Sequence, residues 1–288
     1  MAVLTSQGVA RTAVGLLSRS IVLPNTVTRV TRDDFPAGNG ATVTLRVPSP
    51  GAARTQASAG ATITYDDVTE TGVNVTLSHL YNAKRVTDQE LTYSLVNFGQ
   101  QVTAVQVDAV ARGAEDLLAA AMNGLASEAT FALTASEADT VAKLLAARQT
   151  LSAASVPAGD RFLAVSPEIA TRLLSMEGLR DTSRAGDSNA LRDATIGSVF
   201  GFTVVESNAL AAGTALAYHR SSFAFANVLP ASPRGATDTA TATFGGVGLR
   251  HIFQYQPDIL SDASVVSTFA GAAVVDGARV VKLTTSAT

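Results

Sequence analysis

The chain has 288 residues, of which 47% are hydrophobic and 16% charged, and a formal net charge of −3. A mildly acidic balance argues against nucleic-acid binding by the whole chain, and the absence of cysteine excludes a disulfide framework and thiol chemistry. Mean hydropathy is high at +0.23, yet no run approaches the roughly 18 apolar residues that a membrane span needs.

Residues 1 to 32 carry Arg11, Arg19, Arg29 and Arg32 and no acidic residue. No basic segment precedes an apolar core there, so no signal peptide is expected. A short helical pattern (Val9, Ala13, Leu16, Leu17) breaks at Pro24. The segment is too short to build a core, so it either lies on another surface or frays. Residues 41 to 80 read as β-structure. Ala41 to Val47 alternates, with Val43, Leu45 and Val47 on one face and Thr42, Thr44 and Arg46 on the other. Pro48-Ser-Pro50-Gly51 ends the run. Ala61–Tyr65 and Val73–Leu77 are expected as further strands. The small, polar Gly51 to Gly60 lies between them, which makes a long projecting hairpin. A hairpin has too little to bury on its own, so this one needs a partner surface.

Residues 99 to 125 carry the longest helical pattern. Its apolar positions include Val107, Val110, Ala114, Leu118 and Leu125, with Asn123-Gly124 as the expected stop. That helix would span about 40 Å. Glu137 to Leu151 reads as a helix, Arg161–Val165 as a strand, and Pro167 to Ser175 as a helix with Pro in its first turn. Gly178 to Asp193 is a loop of mixed charge, fitting an intersubunit contact or an ordinary surface loop. Strands are expected at 202–206, 215–218, 222–228 and 247–256. A final pair, Ser264–Phe269 and Ala278–Leu283, is expected to turn around Gly271 and Asp276-Gly277. Helices and strands are mixed but segregated, so the fold class is α+β.

Catalytic constellations are absent from the pattern. His79, His219 and His251 sit in no zinc-ligand spacing, and Arg220 beside His219 would lower that imidazole's pKa. Gly197-Ser198 continues to Gly201, one residue too long for a nucleophile elbow. Gly245-Gly246-Val-Gly248 precedes a strand instead of opening a helix, which fits a close backbone approach better than a phosphate loop. Asp66, Asp67 and Glu70 stand on the hairpin, where a solvated or paired face is the default. No cofactor and no metal are expected, and the chain is not read as an enzyme.

The segment from Asn189 through Ile196-Gly197 and Gly201-Phe202 to Ser207-Asn208 resembles the matching part of tailed-bacteriophage major capsid proteins of the Hong Kong 97-like fold. Ala217-Tyr-His219-Arg220 with the following Ser-Ser-Phe resembles that family's later hairpin. Gly248-Leu-Arg250 to Pro257, with Ser261-Asp262, resembles its next strand and turn. Leu77 to Tyr81 and Val86 to Leu91 resemble the end of its extended loop. Together these cover most of residues 70 to 275. The resemblance implies an N-terminal arm (1–40), an extended β-hairpin loop (41–80), a peripheral domain (81–133 and 251–288) with a spine helix at 99–125, and an axial domain (134–250).

It further implies a structural protein of the virion, assembled in the host cytoplasm. Hexamers and pentamers would tile an icosahedral shell around double-stranded DNA. The alternative is an encapsulin-like nanocompartment shell. A thinly charged exterior suits either assembly. Partners would be copies of itself, with portal, scaffolding or decoration proteins beside them, packaged DNA only indirectly, and no membrane. Candidate intersubunit contacts are Arg11 and Arg19 on the arm, and Arg46, Arg54, Asp66, Asp67 and Glu70 on the loop. Arg180, Arg184, Asp187 and Arg192 join them from the charged segment. Some relatives crosslink through a loop lysine. The lysines here are Lys84, Lys143 and Lys282, none within 41–80, so no such crosslink is expected.

Overall fold

A computed structural model describes residues 22–30, 40–48, 51, 53–65, 67, 69–93, 102–131, 136–176, 197–235, 238–244 and 247–285. With strands numbered in chain order, the first sheet runs β1 (Thr28–Val30), β10 (Phe223–Val228), β13 (Ser261–Val274), β12 (Val247–Gln256) and β11 (Asp238–Phe244), and β4 (Ser78–Thr87) also pairs with β13. The second sheet runs β5 (Ala129–Phe131), β14 (Val280–Thr285), β9 (Thr214–His219), β6 (Arg161–Val165), β8 (Phe202–Glu206) and β7 (Ser198–Val199). A separate antiparallel hairpin joins β2 (Thr42–Pro48) to β3 (Glu70–Thr76). The helices are α1 (Asp88–Tyr93), α2 (Ala104–Asn123), α3 (Glu137–Ala153) and α4 (Pro167–Ser175).

Helix α2 lies against both sheets because its apolar positions recur three and four apart. Val107, Val110 and Ala111 pack on Val247, Leu249 and Val266 of the first sheet. A turn or two later, Leu118 and Met122 enter a cluster with Leu23, Val27, Tyr218, Phe223 and Phe225. Tyr218 meets Phe223 edge to face, ring centroids 5.3 Å apart, a favoured aromatic geometry. The opposite face of the second sheet presents Leu163, Val165, Ala215, Ala217, Val281 and Leu283 to Leu144 and Leu151 of α3 and Ile169 and Leu173 of α4.

Local signals place α3 and α4 where expected. The Ser136 hydroxyl accepts the Asp139 N–H at 3.2 Å, capping α3, and Pro167 opens α4. Helix α2 ends at Asn123 for a reason other than the one expected. Gly124 has φ −70° and so makes no left-handed cap. Instead the Lys282 ammonium donates to the carbonyls of Asn123 (2.6 Å) and Leu125 (2.9 Å), a cation at the negative end of the helix. The helical segment described is 20 residues long, about 30 Å, and the expected positions 99–101 lie outside the described residues.

Three expectations are corrected. Residues 61–65 form no strand, because among the described residues no neighbouring strand supplies hydrogen bonds there. Ser264–Phe269 and Ala278–Leu283 are not partners: β13 continues through Gly271 to Val274 in the first sheet, whereas β14 pairs with β9 and β5 in the second. Strands β5 and β11 were not expected, since their short or Thr/Ala-rich runs carry little hydrophobic signal.

Candidate intersubunit surface

The hairpin is built on one row of side chains. Val43 pairs with Val75, Leu45 with Val73, and Val47 with Thr71. At its base, fully buried Val75 packs with Val30, Ala224 and Ala226, and Val43 and Leu45 lean on the same cluster. These alanines face away from Phe223 and Phe225, so the base sits on the side of the first sheet opposite α2. Gly271 permits this seating. A Cβ there would lie 2.3 Å from the Thr76 carbonyl oxygen, well inside van der Waals contact. The sequence reading left the whole hairpin in need of a partner, but its base is satisfied by the chain's own sheet.

The outer part is not. Beyond Pro48 and Glu70 the chain leaves the ladder, and Ile63 and Tyr65 stand 54% and 85% exposed. Among the loop candidates, the Arg46 guanidinium lies 3.5 Å from the Glu70 carboxylate with both side chains in solvent. Arg54 and Asp67 are exposed nearer the tip. Asp66, Arg11, Arg19, Arg180, Arg184, Asp187 and Arg192 lie outside the described residues. Of the candidates, the structure brings together Arg46 and Glu70.

The end of the N-terminal segment docks on its own chain. Leu23 and Val27 are fully buried, and β1 adds in parallel to β10. Buried Glu115 on α2 organises the contact. Its Oε1 accepts the N–H of Leu23 (3.2 Å), the N–H of Val22 (3.4 Å) and the Ser207 hydroxyl (3.2 Å). One oxygen thus ties together the arm, the helix and the segment after β8. Thr26 and the Tyr218 hydroxyl hydrogen-bond to each other, and burial pushes the Tyr218 phenol pKa up. Sequence reading missed Glu115, whose one signal is a carboxylate on the apolar stripe of the long helix. It also missed the aromatic strip beside the hairpin, where His79 lies 4.5 Å from Phe269 and 6.1 Å from Tyr81 between ring centroids.

The polar groups present are structural in character. His251 is buried and its Nε2 lies 2.9 Å from the Ser264 hydroxyl. Ser264 donates to Gln106 Oε1 at 2.7 Å, and Gln106 Nε2 donates to the carbonyls of Ser264 and Asn82 at 2.8 and 3.1 Å. Ser264 therefore spends its proton on Gln106, so His251 carries its proton on Nε2 and leaves Nδ1 bare. Burial lowers the His251 pKa, opposed in part by Asp238. His219 is also lowered, first by burial and then by Arg279, so Arg220 is not the cause the sequence pointed to. Among the described residues no group of three His, Asp or Glu could hold a metal, and no helix is long and apolar enough to cross a membrane.

A family model described as "Phage capsid protein" matches residues 36–286. The chain belongs to the phage capsid protein family. No curated protein sequence matches it. Among solved structures it is similar to one from Mycobacterium phage Che8, with a TM-score of 0.67 and 22% identity over 91% of this chain and 90% of that one. The capsid of cyanophage P-SCSP1u gives 0.67 and 13% over 93% and 89%. A virus-like particle from Pyrococcus furiosus gives 0.58 and 11% over 96% and 97%. These likenesses carry the fold, which is the Hong Kong 97-like one. The phage capsid protein is thus a structural component of the virion shell that associates with copies of itself.

Proposed function

We propose that this chain is the major capsid protein of a tailed phage, forming the hexamers and pentamers of an icosahedral shell around double-stranded DNA. The observation that carries the reading is the hairpin. Its base is fixed on the first sheet while its outer part leaves Ile63 and Tyr65 exposed among the described residues. Rings of such subunits close through heterologous contacts, and many weak contacts made together hold a shell. On this reading residues 81–133 and 251–288 form the peripheral domain around the spine helix, and residues 134–250 form the axial domain. The arm, the loop and the 178–193 segment carry the intersubunit residues. Catalysis plays no part. Portal, scaffolding and decoration proteins would meet the assembled shell, which forms in the host cytoplasm. Negative-stain microscopy of the expressed protein tests the proposal: closed shells are expected, and a monodisperse monomer at high concentration would refute it.

A second reading, an encapsulin-like cage, draws on the likeness to the Pyrococcus furiosus virus-like particle. Shells filled with a cargo protein and free of nucleic acid would favour it.

A further inference from the structure

We propose that the outer edge of β11 pairs, antiparallel, with the same edge of a second copy about a twofold axis. The inference rests on the reading of the chain as a shell subunit and adds to it a specific contact. Among the described residues the first sheet has three open strand edges: β1 and β11 on one side of β13, and β4 on the other. An open strand edge is a template for another chain, and proteins blunt such edges by shortness, charge or proline. Strand β1 is three residues long and β4 carries Lys84 and Arg85, so both are blunted. Strand β11 is seven residues long and reads Asp238-Thr-Ala-Thr-Ala-Thr-Phe. Between 239 and 243 it has neither charge nor proline, and among the described residues nothing pairs with its outer edge.

The occupant follows from charge and from the alternation. In a parallel pair, Asp238 would stand beside Asp238. In an antiparallel pair centred on Thr241, the two carboxylates lie six residues apart, about 20 Å. That register sets 241 against 241, 240 against 242 and 239 against 243, so Thr meets Thr and Ala meets Ala. A slip of one residue would set Thr against Ala and invert the faces. The match has a geometric consequence. Ala240 is buried and Ala242 packs on the Val107 and Val110 cluster, so the Ala face is the one covered by α2. Pairing Ala with Ala therefore puts α2 of both copies on the same side of the joined sheet. A shell requires this, since every subunit presents the same face inward.

The chain contains no cysteine, which allows a clean test by crosslinking. In the paired register the Thr241 Cβ atoms of two copies lie about 4.5–5.5 Å apart, whereas the two Thr239 positions are offset by four residues, about 14 Å. Assembled Thr241→Cys protein treated with oxidant or a short bismaleimide should shift its main gel band from monomer to dimer, and Thr239→Cys protein should stay monomeric. A monomer band for Thr241→Cys, or equal dimer for both, overturns the pairing while intact particles in the microscope leave the shell reading standing. If no particles form, the shell reading fails separately, and the same gel on concentrated soluble protein still decides the contact. As a second measurement, Thr241→Lys and Thr241→Glu proteins should each assemble poorly alone and recover on mixing. Normal assembly of either alone, or no recovery on mixing, overturns the proposal.

Discussion

The Glu115 carboxylate accepts the N–H of Leu23 at 3.2 Å across 92 residues of sequence. The same oxygen takes the N–H of Val22 and the Ser207 hydroxyl, so one side chain holds three elements that the chain order keeps far apart. Glu115→Ala would leave three donors without their acceptor. Each buried donor left unmade costs about 1–3 kcal/mol, though water reaches part of this site, so a total loss of about 2–3 kcal/mol is expected. That is a fall in melting temperature on the order of 5–10 °C for a chain of this size. Glu115→Gln keeps a carbonyl oxygen in place and should lose less than half as much. Differential scanning calorimetry checks both, and equal melting of all three proteins would rule out the role assigned to Glu115.

His251 makes stability depend on pH in a definite direction. Its pKa is lowered in the fold, and its bare Nδ1 has no partner, so a second proton would be buried without an acceptor. The unfolded chain takes that proton near about pH 6.5. The stabilisation is therefore complete above about pH 6.5 and is lost as pH falls from there through the lower folded value. His219 shifts the same way, so the difference between parent and variant isolates His251. Urea midpoints should fall more steeply for the parent than for His251→Gln between about pH 7 and pH 5. Parallel profiles would remove His251 as the cause.

Gly271 shows why a residue read as a turn can be a strand residue. The sequence offers a glycine between two apolar runs, which looks like the bend of a hairpin. The structure uses the missing side chain instead, letting the Thr76 backbone cross β13. Gly271→Ala would set a methyl 2.3 Å from the Thr76 oxygen, forcing the hairpin base off the sheet at a cost of roughly 1–3 kcal/mol. Limited proteolysis should then cut within 41–80 faster than in the parent. Unchanged cleavage would mean that the base is not seated through this contact.

The same contrast separates what was legible in the chain from what was not. Elements written in local pattern were found: the alternation of β2, the helical stretch of α3, the proline that opens α4, and the strand β12. Elements defined by a distant partner were missed. Strand β11 is Thr and Ala on a sheet edge, and β5 is three residues held by β14. Ala61–Tyr65 has the right alternation but, among the described residues, no strand to pair with. Docking of Leu23 needs Glu115, a carboxylate that from sequence alone belongs in water. The candidate surface was legible as a projecting loop, whereas its fixed base and free outer part depend on which sheet lies beneath.

The lysines predict a plain gel. A crosslink through the loop needs an amine there, and residues 41–80 contain none. Lys282 is committed to the carbonyls that end α2, and Lys84 lies half-buried on β4. Boiled particles should run as one band near the 29.5 kDa of the chain. A ladder of multimers that survives boiling in detergent and reductant would contradict this and direct attention to Lys143.

Arg46 separates folding from assembly. Its pairing with Glu70 is long at 3.5 Å and solvent-exposed, and pairs of that kind contribute about 0–1 kcal/mol. Arg46→Ala should therefore leave the melting temperature of the unassembled subunit within about 2–4 °C of the parent. If the hairpin reaches a neighbour, the same substitution exposes Glu70 without its cation and removes a charge from the contact, so shell yield should fall while the subunit stays folded. Arg46→Lys keeps the charge and should recover part of the yield. Light scattering during assembly reads the difference. Equal assembly by parent and Arg46→Ala would remove Arg46 from the intersubunit surface and leave the exposed Ile63 and Tyr65 as the part of the hairpin that meets a second copy.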